Sequence, residues 1–99
     1  MPFDTTLDPT TDIILGAIDY LEQYRWCQYA AVRGNQRCVW GALREVAGES
    51  NRGMLDAACR RVEQMNNIPS FDLQDWNDVR GRTKDQVLDA LRNSLGHRE

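Results

Sequence analysis

Three sets of side chains in this chain could do chemistry by type and spacing. Asp72, Asp75 and Asp78 recur every third residue within "DLQDWNDVRGRT", so one helical turn would align their carboxylates. That spacing does not match a calcium loop, which needs D-x-[DN]-x-[DN]-G. A glycosidase-like carboxylate pair would need a sugar cleft, for which a small helical domain has little room. Cys27, Cys38, Cys59 and His97 make the composition of a zinc site. They lack the close Cys pairs that structural zinc sites use, and the only His sits near the end of the chain. The third set is basic: Arg25, Arg33, Arg37 and Arg44 lie among Tyr24, Trp26, Tyr29 and Trp40. Guanidinium groups interleaved with aromatic faces can bind anions or stack on bases.

The charge pattern sharpens that third reading. Residues 1–24 hold five acids and no base, whereas residues 25–44 hold four arginines and no acid. The net charge is −3, which excludes a protein that is basic overall. Packing aromatics, with arginine heads paired to acids of neighbouring helices, is the structural alternative. No cofactor is implied. A Cys/His nucleophile lacks a base, because the only His, His97, lies near the end of the chain, so the chain reads as a binding protein and not as an enzyme.

"CQYAAVR" (27–33) and "CVWGALR" (38–44) share a pattern around the Gly34-Asn35 pair. Ala30 and Gly34 have the spacing of a helix-turn-helix turn, but Arg33 and Asn35 stand where apolar residues belong. Two similar small-residue packing faces explain the likeness more simply. Ala30-Ala31 and Gly41-Ala42 would let backbones approach.

The elements that position these residues read as helices. At 99 residues the chain suffices for one domain with its own core. Residues 1–9 read as a tail and 10–96 as a single helical domain. A first helix starts near Thr10 or Thr11, with Ile14, Ile18 and Leu21 on one face, and Gly16 permits close packing. Trp26–Val32 is open between helix and strand, and its low β-branching favours helix. A second helix covers about Arg37 to Ala47, buries Val39, Ala42, Leu43 and Val46, and stops at Gly48. A third starts near Ser50 or Asn51, carries Leu55, Ala58, Cys59, Val62 and Met65, and ends before Pro69.

Residues 68–82 form a long ordered loop with one helical turn around Asp72–Trp76. There Trp76 enters the core. Asn77 and Asp78 bond amides of their own turn, and Asp78 pairs with Arg80 or Arg82. Thr83 and Gln86 form a capping box for a last helix that buries Val87, Leu88, Leu91 and Leu95 and stops at Gly96. The expected fold class is all-α, a bundle of about four helices.

Three unpaired thiols and no basic, apolar leader point to the cytoplasm. No stretch approaches the ~18 apolar residues of a membrane span. "RWCQ" (25–28), "CVWGAL" (38–43) and "WNDVRGRTKDQVLDAL" (76–91) together resemble a family of small uncharacterised bacterial and phage proteins. The resemblance carries no activity. It points to Trp26, Cys27, Cys38, Gly41, Trp76, Asn77, Asp78, Arg82 and Thr83 as positions serving fold or function.

The expected partner is another protein, with a homodimer left open. The surface would be drawn from Arg25, Arg33, Arg37, Arg44, Trp76, Asn77, Asp78 and Arg82. The alternative is a nucleic acid or anionic ligand on the arginine and aromatic patch.

Overall fold

The structure is a computed structural model that describes residues 9–95. Most of the expected tail, and Gly96 and His97, lie outside the described residues. Helix α1 is Pro9–Gln23. Pro9 opens it, where a missing N–H is harmless, and Asp12 sits in its first turn. Its face of Ile13, Ile14, Ala17, Ile18 and Leu21 is buried. Helices α2 (Val39–Ala47), α3 (Arg52–Met65) and α5 (Lys84–Asn93) pack around it. The short α4 (Leu73–Asn77) packs on α2 and α3.

Two of the caps read from sequence, Gly48 and the Thr83–Gln86 pair, are in place, whereas α1 starts at Pro9, just before the expected Thr10 or Thr11. Gly48 ends α2 at φ 83°, a conformation that favours glycine. Thr83 Oγ1 accepts the Gln86 N–H while the Gln86 side chain accepts the Thr83 N–H, which closes the capping box of α5. A Cβ added to Gly16 would come within 2.6 Å of Val46 Cγ1. The glycine therefore lets α1 and α2 approach, and Val46 lies over that crossing, part-exposed and not fully buried.

The fold is not purely α-helical. Three two-residue strands, β1 (Arg25–Trp26), β2 (Val32–Arg33) and β3 (Gln36–Arg37), form a sheet in the order β1-β3-β2. β2 and β3 make an antiparallel hairpin across Gly34-Asn35, and β1 joins β3 in parallel. Trp26–Val32 is therefore not helical, contrary to the local propensity. Tyr29 has φ 68°, which no α-helix accepts, and contacts distant in sequence fix it there. The hairpin also removes the helix-turn-helix reading, because Gly34 turns between strands. No helix among the described residues is long and apolar enough to cross a membrane.

Candidate functional site

The three segments singled out in the sequence meet around one buried side chain. Asn77 closes α4 and is fully buried. Its Oδ1 accepts the Trp26 indole N–H at 2.7 Å and the Val39 backbone N–H at 3.0 Å. Its Nδ2 donates to the Cys27 carbonyl at 3.1 Å and to Asp78 Oδ1 at 2.9 Å. All four hydrogen-bonding positions of the amide are used. One residue thus joins β1, the start of α2 and the end of α4.

Neighbouring contacts hold the chain between β1 and β2 against α4. Gln28 Nε2 donates to the Asn77 carbonyl at 3.0 Å and to the Val79 carbonyl at 2.9 Å. Asp78 Oδ1 accepts the Tyr29 N–H at 2.8 Å. Asn77 and Asp78 therefore tie down a segment about fifty residues earlier, not their own turn. Asp78 makes no ion pair with Arg80 or Arg82. Arg82 instead lies over the Trp76 ring, 4.0 Å from its centroid, and donates to the Trp76 carbonyl at 2.9 Å. Trp76 is only part-buried at the edge of the core.

Two cysteines belong to the same junction. The Cys38 sulfur caps α2 by accepting the Gly41 N–H at 3.3 Å. Cys27 donates its S–H to the Ala30 carbonyl at 3.4 Å. The Cys27 N–H donates to the Arg37 carbonyl at 3.0 Å, a bond that belongs to the parallel Trp26–Arg37 pairing at the end of the sheet. Gly41 is required here, since a Cβ would overlap the Ala31 carbonyl oxygen.

All three cysteines are free and buried. Burial raises the pKa of each thiol. Arg33 and Arg37 partly offset this at Cys27, and backbone N–H groups partly offset it at Cys38. Cys59, inside α3, is pushed up to about 12. Such thiols are poor nucleophiles at neutral pH. Among the described residues no three His, Cys, Asp or Glu side chains converge as metal ligands.

The four arginines do not form one patch. Arg37 is mostly buried. Its guanidinium donates to the Gly34 and Gln36 carbonyls, pairs with Glu45 at 3.5 Å and lies 5.7 Å from the Tyr20 ring centroid. Arg44 lies 5.6 Å from the Trp40 ring centroid and pairs with Glu49 at 3.7 Å. Arg25 and Arg33 are exposed. Both register with Gln36, one from each side, so the three side chains form a row on one face of the sheet.

Sequence reasoning named Tyr29 only as one aromatic among the arginines, and it overlooked Gln28 and Glu63. Gln28 gave no signal beyond lying beside Trp26-Cys27. Glu63 looked like an ordinary surface acid of α3, yet it is fully buried. It takes Arg60 Nε at 2.6 Å and Nη2 at 3.2 Å, and it accepts the Leu73 N–H at 3.0 Å, which fixes the start of α4.

Among the described residues, Tyr29 and Phe71 are the most exposed large apolar residues, at 67% and 77%. Both have φ 68°, an unfavourable conformation for bulky side chains. The Phe71 ring carries the Arg60 guanidinium at 3.9 Å, whereas the Tyr29 ring has no ring or cation partner among the described residues. Beside Tyr29 lies a cavity of about 240 Å³ between its loop and α4.

This arrangement defines a small helical domain whose irregular β1–β2 connection is clamped by the C-terminal end of a one-turn helix. The chain belongs to a family of unknown function, DUF6197, whose model matches residues 5–94. No curated protein and no solved structure matches it.

Proposed function

We propose that the domain acts by binding another protein, without catalysis, and that the loop carrying Tyr29 is its contact surface. One observation carries this reading: Tyr29 is 67% exposed and is held at φ 68° by the Asp78 carboxylate. A non-glycine residue in the left-handed region costs on the order of 1–3 kcal/mol. An exposed ring recovers little of that by burial. Displaying the ring to a partner gives the cost a purpose, because tyrosine is enriched among the residues that dominate interface energies. Val32 and Val79, each about half exposed at 48% and 49%, extend the apolar surface. The Gln28 bond to Val79 holds the two segments together. Buried free thiols fit a reducing compartment, and we place the protein in the cytoplasm.

The test is a quantitative pull-down from cells of the protein's own lineage. Wild type is compared with Tyr29→Ser and with Tyr29→Ser combined with Val32→Ser. A specific protein retained by wild type and lost from both variants is expected. The same proteins retained by all three baits would overturn the reading.

A second reading rests on the row Arg25–Gln36–Arg33, which would present two guanidinium groups to an anionic ligand. Two phosphate contacts would give a slope of about −2 in log K against log salt. The Arg25→Gln/Arg33→Gln variant would remove it. Salt-independent binding, or binding that survives this variant, would sink this reading.

A further inference from the structure

We propose that the cavity beside Tyr29 receives a cationic side chain, arginine or lysine, from a basic segment of the protein partner. This rests on the protein-binding reading above and specifies the partner's chemistry. The cavity measures about 240 Å³, and its lining includes Tyr29, Ala31, Gln74, Asp75 and Asp78 but no lysine or arginine.

The two carboxylates differ. Asp78 already accepts the Tyr29 and Asn77 N–H groups, so it is committed to holding the loop. Asp75 is exposed; its backbone carbonyl accepts the Asp78 N–H, but its carboxylate makes no hydrogen bond or ion pair among the described residues. An unmatched negative charge beside an unpartnered aromatic ring attracts an organic cation, by Coulomb interaction and by the ring quadrupole. The small apolar wall at Ala31 suits the methylene stem that leads to such a headgroup. A carboxylate-bearing ligand would be repelled. A purely apolar one would strip water from Asp75 without replacing it. The walls are fixed in advance, since Asn77, Asp78 and Gln28 lock the loop to α4, so little ordering is needed on binding.

The experiment titrates isotope-labelled full-length protein with acetyl-Ala-Arg-Ala-amide, followed by backbone amide NMR. The control peptide carries citrulline, which keeps the shape of arginine without its charge. The arginine peptide is expected to give saturable shifts confined to residues 29–31 and 74–78, weakening as salt is added. The citrulline peptide should bind about tenfold more weakly or worse, the equivalent of one charged contact. Asp75→Asn should cause a similar loss in arginine-peptide affinity. Because the Asp75 carboxylate makes no internal bond among the described residues, this variant should fold as wild type and give an otherwise unchanged spectrum.

Equal binding of the two peptides, shifts centred elsewhere, no saturation, or an unaffected Asp75→Asn would each overturn the proposal. The pull-down separates the two levels of argument. Tyr29-dependent capture of a protein by a domain that ignores the arginine peptide overturns the cationic side chain alone. Arginine-peptide binding without any Tyr29-dependent capture overturns the protein partner as its source.

Discussion

The Trp26 indole donates to Asn77 Oδ1 at 2.7 Å across fifty-one positions of sequence, and the same oxygen takes the Val39 N–H. Replacing Asn77 by Ala would orphan both donors and the Cys27 carbonyl. Each buried group left unpaired costs about 1–3 kcal/mol. Asn77→Ala is therefore expected to destabilise by more than about 3 kcal/mol in urea titrations. Asn77→Asp keeps the acceptor but loses the donors to Cys27 and Asp78 and sets a buried carboxylate against the Asp78 carboxylate, so it should destabilise at least as much as Asn77→Ala.

Gly41 and Gly53 give opposite expectations. Gly41→Ala drives a methyl group into the Ala31 carbonyl, and overpacking of this kind costs about 1–3 kcal/mol. Gly53 lies in the first turn of α3, and a Cβ there meets nothing within 4 Å. Gly53→Ala should stabilise by up to about 1 kcal/mol. Thermal melts of the two variants should move in opposite directions.

Tyr29→Gly should separate stability from binding. Glycine accepts φ 68° without steric cost, and the exposed ring contributes little burial. Chemical denaturation should show unchanged or higher stability, by up to about 1 kcal/mol. Partner capture should be lost. A clear loss of stability would mean that the ring serves the fold.

The Cys59 thiol gives a pH dependence of known sign. Its pKa rises through burial from 9.0 to about 12 in the folded chain. Below pH 9 both folded and unfolded states hold the proton, and the contribution is constant. Between about pH 9 and 12 the unfolded chain loses the proton first, so stability falls as pH rises. The slope is roughly 1 kcal/mol per pH unit. Subtracting the Cys59→Ala curve from wild type isolates this slope from tyrosine and lysine titration.

Arg37 should matter to stability where Arg25 and Arg33 do not. Its guanidinium bonds the Gly34 and Gln36 carbonyls and lies under Tyr20. Arg37→Gln is expected to cost about 1–2 kcal/mol in denaturant titrations. Arg25→Gln and Arg33→Gln should stay within about 0.5 kcal/mol of wild type.

The sequence by itself determined the helices. The stripes Ile14–Ile18–Leu21, Leu55–Ala58–Cys59–Val62 and Val87–Leu88–Leu91 repeat at helical spacing, and all are buried. Caps such as Thr83–Gln86 and Gly48, and the close approach at Gly16, are likewise local signals that need only a few residues to be read. The family resemblance also pointed to Trp26, Cys27, Cys38, Gly41, Trp76, Asn77, Asp78, Arg82 and Thr83, without saying what joins them.

The tertiary structure decided everything in the 25–38 segment. Two-residue strands carry no periodicity, so no pattern could mark them. The low β-branching of Gln28–Ala31 favoured helix, but Asn77 at the end of α4 took the Cys27 carbonyl and Asp78, just after it, took the Tyr29 N–H. The arginines divided in the same way. Close in sequence, Arg25, Arg33 and Arg37 were separated by strand register, which left Arg25 and Arg33 in a row with Gln36 and turned Arg37 inward. Hydrogen bonds to partners tens of residues away outweigh a propensity of a few tenths of a kcal/mol per residue, and such partners have no signature in the local sequence.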